Sequence, residues 1–461
     1  MPEGTWEYAV TPVLGGWTGT EGPRTEITVH GAALAVARPA NSSATPERRP
    51  VFAGGAGTAP GDLPKVAVTI SKGRVPDAAF RRLTTTAVDG SWSARPVKKL
   101  PEGVYTARAR QADRAGHLTW SHPSTFRVDA TAPATAEDTA AIGEGWKRTD
   151  QTVALRPADP DGSGVAATYV TTDGSTPTIG SAQGPLVSVG EGIHVIKYFS
   201  VDRAGNTEAV RTATRRIRVD ETAPDIATLG PLPDVVRDGQ VLTGGGNDAL
   251  SGVARVVYER CAEAACTSWT WIGSSATGPD HPVVWSHQPA NGIYQVRARV
   301  LDPAGNATTS AAQMVRVDNT SPAVAIAASA DGNGTVEGGD TLTVEMSESL
   351  DPASLPAAGS MTFSRSSGSS TTMSIAGLTD GPVKTGTRAW VDDGASVSYS
   401  GTLVITDDGR RVRFTVGACE YGCGDAVAGN AGTLQFVPAT SLRDRAGNTA
   451  TGTKTLTLTL F

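Results

Sequence analysis

Long apolar runs are missing from this sequence. The longest, around Ala323 to Ala328, is far too short to cross a bilayer, so no membrane insertion is expected within the chain. Helix-type periodicity is missing nearly everywhere. Histidine occurs 6 times and cysteine 4 times in 461 residues. Histidines this sparse and scattered argue against a Ser-His-Asp triad. There is no Gly-x-Ser-x-Gly elbow, no His-Glu-x-x-His pair and no phosphate-cradling glycine loop. Gly244-Gly245-Gly246 stands before Asn247-Asp248 in a turn setting, not between a strand and a helix. A glycosidase carboxylate pair cannot be recognised without geometry. No catalytic residue is nominated, and the chain is not expected to be an enzyme. The net charge of −6 is spread without a basic stripe, which argues against a nucleic-acid partner. No secretory leader is visible at Met1 and no sorting motif follows Phe461.

What is present is glycine, at 53 residues, and proline, at 29, around short alternating runs rich in Val, Thr and Tyr. Such runs, closed by Gly, Asn, Asp and Pro, mark a β-sandwich or barrel. At this length three or four domains are expected. The runs also repeat. Gly103 to Asp113 is followed by Arg114-Ala115-Gly116-His117, Gly192 to Asp202 by Arg203-Ala204-Gly205-Asn206, and Gly292 to Asp302 by Pro303-Ala304-Gly305-Asn306. Asp444-Arg445-Ala446-Gly447-Asn448 is a fourth copy of the turn. Three copies lead to a shared exit at Asp129 to Pro133, Asp220 to Pro224 and Asp318 to Pro322. In the third copy Tyr294, Val296, Ala298 and Val300 fall on one face, and Gln295, Arg297 and Arg299 on the other. The aspartate is expected to accept from turn amides, the glycine to supply positive φ, and Asn306 to tolerate the left-handed region. Proline then stops the ladder at the exit.

These residues resemble bacterial Ig-like repeats of the Big and S-layer types, strung along exported, actinobacterial-like surface proteins. Further segments carry the likeness: Phe52 to Gly57 with Gly90-Ser91-Trp92-Ser93; Thr172-Asp173-Gly174-Ser175-Thr176-Pro177; Ser251-Gly252-Val253; and Gly338 to Val344 with Ser347-Glu348. The resemblance implies an all-β fold of tandem immunoglobulin-like β-sandwich modules in an extended array. Residues 1–30 read as the C-terminal piece of a truncated Ig-like or fibronectin-III-like module, with an export signal expected upstream. Residues 31–44 read as an Ala/Ser/Pro-rich linker. Modules are expected at 45–132, 133–223, 224–321 and 322–461. His194 replaces Tyr105 and Tyr294 at a position where Ig-like folds often bond a tyrosine to the backbone, and is expected to do the same.

Three groups could carry chemistry. Cys261 with Cys266 and Cys419 with Cys423 read as local disulfides. Zinc at Cys261, Cys266, His281 and His287 is the alternative, disfavoured because His281 precedes Pro282 beside the strand-like Val283-Val284-Trp285. No cofactor is expected, and calcium is the secondary candidate. Asp331 to Glu337 alternates oxygen donors but has Leu342 where a calcium loop needs glutamate. Asp129, Asp220 and Asp318 recur at junctions, where turn capping suffices. Trp269, Trp271 and Trp285 are a candidate glycan platform, with core packing the favoured reading. The expected role is a non-catalytic structural, spacer or adhesive array of a secreted or cell-surface bacterial protein. Cell-wall or environmental glycans, or surface proteins, are its candidate partners. The alternative is a set of glycan-binding accessory modules of a larger extracellular carbohydrate-active enzyme.

Overall fold

The computed structural model describes residues 4–29, 34–262, 266–330, 334–387, 390–406, 409–426 and 432–458. The chain divides into two compact units, Met1–Glu221 and Thr222–Phe461. Nearly every regular element is a strand, and the alternation of buried and exposed residues places each sandwich core.

In the first unit, Gly4–Tyr8 pairs antiparallel with Thr25–Val29, and Val13–Leu14 forms a hairpin with Trp17–Thr18. None of residues 6–26 joins a buried core; Trp17 is 83% exposed. The first sandwich follows. Its larger sheet runs Ser43–Thr45, Ser124–Val128, Gly103–Asp113, Asp62–Lys72 and Ala79–Thr86, with Leu118–Trp120 added beside Gly103–Asp113. Phe52–Gly55 and Ser91–Ala94 form the facing ribbon. Val66, Val68, Ile70, Tyr105, Ala107 and Ala109 fill the space between.

The linker expected at 31–44 is corrected from Leu34 on, residues 31–33 lying outside the described residues. Leu34 is buried in the first core, Ala35 and Ala37 donate to the carbonyls of Gly55 and Ala53, and Ser43–Thr45 lies parallel to Phe126–Val128. Small side chains hid the segment, because Ala and Ser carry no β-branched signature. Gly54 is required here: a Cβ would stand 1.8 Å from the Ala35 carbonyl oxygen.

The second sandwich packs Val153, Leu155, Val187, Ile196, Tyr198 and Ile217 between Gln151–Ala158 with Leu186–Val189 and Val165–Thr171 with Lys197–Asp202. A buried carboxylate, Glu208, lies at its edge. It accepts from the Thr135 amide at 2.9 Å and hydroxyl at 2.6 Å, and pairs with Arg211 at 2.9 Å. Those partners offset its desolvation.

In the second unit, the third sandwich orders Val235–Val236, Gln313–Val317, Gly292–Leu301, Arg255–Cys261 and Thr270–Ser275 in one sheet. The glycine run read as a turn is instead the strand Gly244–Asn247, paired with Ile226–Leu229. Close approach explains the glycines: a Cβ on Gly246 would meet the Ile226 carbonyl at 2.2 Å and Val300 at 3.0 Å. The fourth sandwich has a seven-stranded sheet with Thr341–Met346, Arg411–Tyr421 and Ser396–Thr406 at its centre. Phe363, Phe414, Phe436 and Trp390 occupy its core.

Candidate functional site

The repeated residues converge where one sandwich hands the chain to the next. Just before the repeated strand, the Tyr105 hydroxyl donates to the Pro101 carbonyl at 2.8 Å and the Tyr294 hydroxyl to the Ala290 carbonyl at 2.9 Å. His194 Nε2 lies 2.8 Å from the Gly190 carbonyl, the same four-residue reach. The histidine thus takes the tyrosine's place, with its proton on Nε2.

At the far end of that strand the aspartate holds the turn. Oδ1 of Asp113, Asp202, Asp302 and Asp444 accepts the backbone amide four residues on, at 2.8 to 2.9 Å. Gly116, Gly205, Gly305 and Gly447 have φ of 89 to 96°. Asn306 does not take the left-handed conformation expected of it. The asparagine is needed for its side chain: Nδ2 of Asn206, Asn306 and Asn448 donates to Oδ2 of its own aspartate at 2.6, 2.8 and 2.8 Å. The same Nδ2 also reaches the preceding exit. Asn206 bonds the Asp129 carbonyl at 2.9 Å, Asn448 the Asp318 carbonyl at 2.8 Å, and Asn306 the Thr222 carbonyl at 3.3 Å. In the first copy His117 stands in the asparagine's position, exposed to solvent, with Nδ1 2.9 Å from Asp113. The Asp113 carboxyl is held below the usual range by that bond.

Within each unit this geometry gathers carboxylates. Asp129, Asp159 and Asp202 bring oxygen atoms within 4.8 Å of one another, and so do Asp318, Glu348 and Asp444. Asp129 and Asp202 are almost fully buried. Burial pushes the Asp129 carboxyl up, but bonds from Ser163 and Thr131 outweigh it and hold the group below 3.8. Glu348 goes the other way: burial and the neighbouring Asp318 and Asp444 raise it above 4.5, against the pull of Arg316 and Arg410. These all-oxygen donor sets are of the type hard cations use. Asp129 and Asp318 also cap their turns, accepting from the amides of Thr131 and Thr320. Sequence reading missed Asp159 and Glu348 as members, since they come from other loops. Of the Asp331 to Glu337 run, Asp331, Gly332 and Asn333 lie outside the described residues.

Both cysteine pairs are disulfides, with Cα atoms 5.8 and 5.9 Å apart. The sulfurs of Cys261 and Cys266 are therefore bonded to each other, which removes the thiolates a zinc site needs. The tryptophans separate. Trp285 is core, as expected, but Trp271 is 65% exposed. Its register explains why: a bulge shifts the pairing from Tyr258↔Gly273 to Glu259↔Trp271, so Trp271 shares the outward face with Glu259. Trp269 precedes the paired strand and is half-buried under the Arg297 guanidinium, 3.9 Å from its ring centroid. Neither fills the sandwich core.

The fold and its junctions define an all-β protein of immunoglobulin-type modules. Residues 36–130 match the model of the bacterial Ig-like domain, and residues 280–370 match that of the bacterial Ig-like domain (group 3), so this chain carries bacterial Ig-like domains. The first match takes in most of the segment expected as linker. No curated protein matches the chain. Among solved structures it is similar to the tetra-tandem repeat in the extending region of a large adhesion protein, at 16% identity and a TM-score of 0.32, covering 90% of this chain and 96% of that one. It is also similar to a structure from a 1.5-MDa bacterial ice-binding adhesin, at 18% identity and a TM-score of 0.28, covering 61% and 95%. A third likeness is to fibronectin(III)-like modules of Clostridium thermocellum CbhA, at 15% identity and a TM-score of 0.25, covering 40% and 94%.

Proposed function

We propose that this chain is a non-catalytic, load-bearing array of a secreted or cell-surface bacterial protein, holding or presenting an adhesive partner. One observation carries the reading: Asn206 and Asn448 each tie a module's turn to the exit of the module before it. Such a tie resists bending at the junction. The two disulfides fit an oxidising, extracytoplasmic compartment. Single-molecule stretching of the full chain tests it. Each module should unfold as a separate event, releasing about 30 nm of contour for each of the first three and about 50 nm for the longer fourth, from roughly 3.6 Å per residue. A single event spanning the chain would refute independent modules. The all-oxygen donor sets suit calcium as a further tie; stretching in calcium and in chelator should give a higher force in calcium, and equal forces would remove the ion from this reading.

Trp271 favours a second reading, a glycan-binding accessory module, because its ring stands on the outward sheet face. That reading requires saturable quenching of tryptophan fluorescence by cell-wall or plant polysaccharides, lost on Trp271→Ala. The load-bearing reading expects none.

A further inference from the structure

We propose that the outward face of the first sandwich's larger sheet binds an acidic polysaccharide. The inference is independent of the load-bearing reading. Three adjacent strands place cations on one surface. Arg82 on Ala79–Thr86 and Arg108 on Gly103–Asp113 both lie opposite Thr69 of the strand between them. Two strand spacings separate them, about 10 Å. Arg110 is two residues on from Arg108, so it points the same way about 7 Å along the strand. Lys65, exposed, extends the face on the middle strand. Trp120 pairs with Arg110 across the remaining edge. Its ring centroid lies 4.9 Å from the Arg108 guanidinium and 5.8 Å from that of Arg110. Such contacts hold both cations against the sheet.

Among the described residues, no carboxylate pairs with any of these four cations. The ion pairs of this sandwich are Arg95–Glu47 and His117–Asp113. The face is therefore a local positive surface on a chain of net charge −6. It escaped the sequence reading because its charges alternate with core residues on three separate strands and form no linear stripe. The third sandwich supplies a contrast. Arg297 and Arg299 occupy the same repeat positions as Arg108 and Arg110, but there Glu259 neutralises Arg297 at 2.7 Å.

The geometry selects the occupant. Cations spread over a flat sheet match successive anions on an extended chain. Part of the Trp120 ring remains open to stack on a sugar, and Thr69 stands in register between Arg82 and Arg108. The disulfides elsewhere in the chain fit an oxidising compartment, which favours an acidic glycan over DNA as the polyanion.

The test uses the full chain and four probes: polygalacturonate as the carboxylated polymer, heparin as the sulfated one, dextran as the neutral control, and a short DNA duplex. At least one acidic polysaccharide should bind, dextran should not, and added salt should weaken binding. Arg82→Gln/Arg110→Gln should weaken it by about tenfold or more, since two charge-assisted contacts are lost. Arg82→Glu/Arg110→Glu should abolish it, and Arg255→Gln/Arg299→Gln in the third sandwich should leave it unchanged. These side chains are exposed, so the folded modules should tolerate the changes. Preference for polygalacturonate or heparin identifies the anion as carboxylate or sulfate. Failure of both to bind, undiminished binding in the first-sandwich variants, or duplex DNA binding as tightly as either polysaccharide would each overturn the proposal.

Discussion

Replacing Asn206 with alanine removes two bonds from one nitrogen. One goes to Asp202 Oδ2 at 2.6 Å and the other to the Asp129 carbonyl at 2.9 Å. The first is charge-assisted and worth roughly 1.5–3 kcal/mol; the second, between neutral groups, is worth roughly 0.5–1.5 kcal/mol. Asp202 is only 2% exposed, so water cannot replace the lost donor without opening the turn. The backbone bond from the Asn206 amide to Asp202 Oδ1 survives the substitution. The expected cost is about 3 kcal/mol, or roughly a hundredfold in the local opening equilibrium. Native-state hydrogen exchange reads this at the amides of Asp202, Gly205 and Asn206, all bonded within the turn. They should exchange about a hundredfold faster in Asn206→Ala, while amides of the Asp62–Lys72 strand stay unchanged. His117→Ala is the comparison. That side chain is 84% exposed, so its loss should matter by no more than about 0.5 kcal/mol. A change below threefold in Asn206→Ala, or equal effects of the two substitutions, would refute the junction argument.

Gly305→Val should cost roughly 1–3 kcal/mol in the third sandwich, read from its unfolding midpoint. The Cβ site is open and φ is 96°, so the whole cost is backbone strain; a neutral outcome would contradict that conformation. The two carboxylate groups should titrate in opposite directions by carbon-detected NMR. The folded value of Asp129 is depressed, so its stabilisation is present above 3.8 and lost as pH falls through the lower folded value. Glu348 is raised, so its neighbourhood loses stability as pH climbs from 4.5 through the higher folded value; titration of either group at its ordinary value would overturn this assignment. Replacing Cys261 and Cys266 with serine should lower third-sandwich stability by about 2 kcal/mol or less, because so short a loop restrains few unfolded conformations. Complete unfolding of that module at room temperature would show that the bridge does more than pin a hairpin.

Strand, turn and corner were legible in the sequence because each rests on local rules. Alternation of Tyr294, Val296, Ala298 and Val300 is set by the two-residue period of the backbone. The turn's Asp and Gly carry their roles within four residues; spacing put His194 at the tyrosine's position, and the resemblance to Ig-like folds implied its backbone bond. Only the tertiary structure decided the rest. Asn448 is bonded to a carbonyl 130 residues away, which no local pattern can encode. Gly244–Asn247 is a strand because a neighbouring backbone leaves no room for side chains, and from composition such glycines look like a turn. Residues 34–45 join the first sandwich through Leu34 and through backbone bonds to Gly55 and Ala53, contacts that depend on what lies opposite them. A single bulge turned Trp271 to solvent, since one extra residue reverses the faces of a strand. The carboxylates of the junctions and the cations of the first sandwich converge from separate elements. Both the charge of a surface and the company of a buried acid are properties of that convergence.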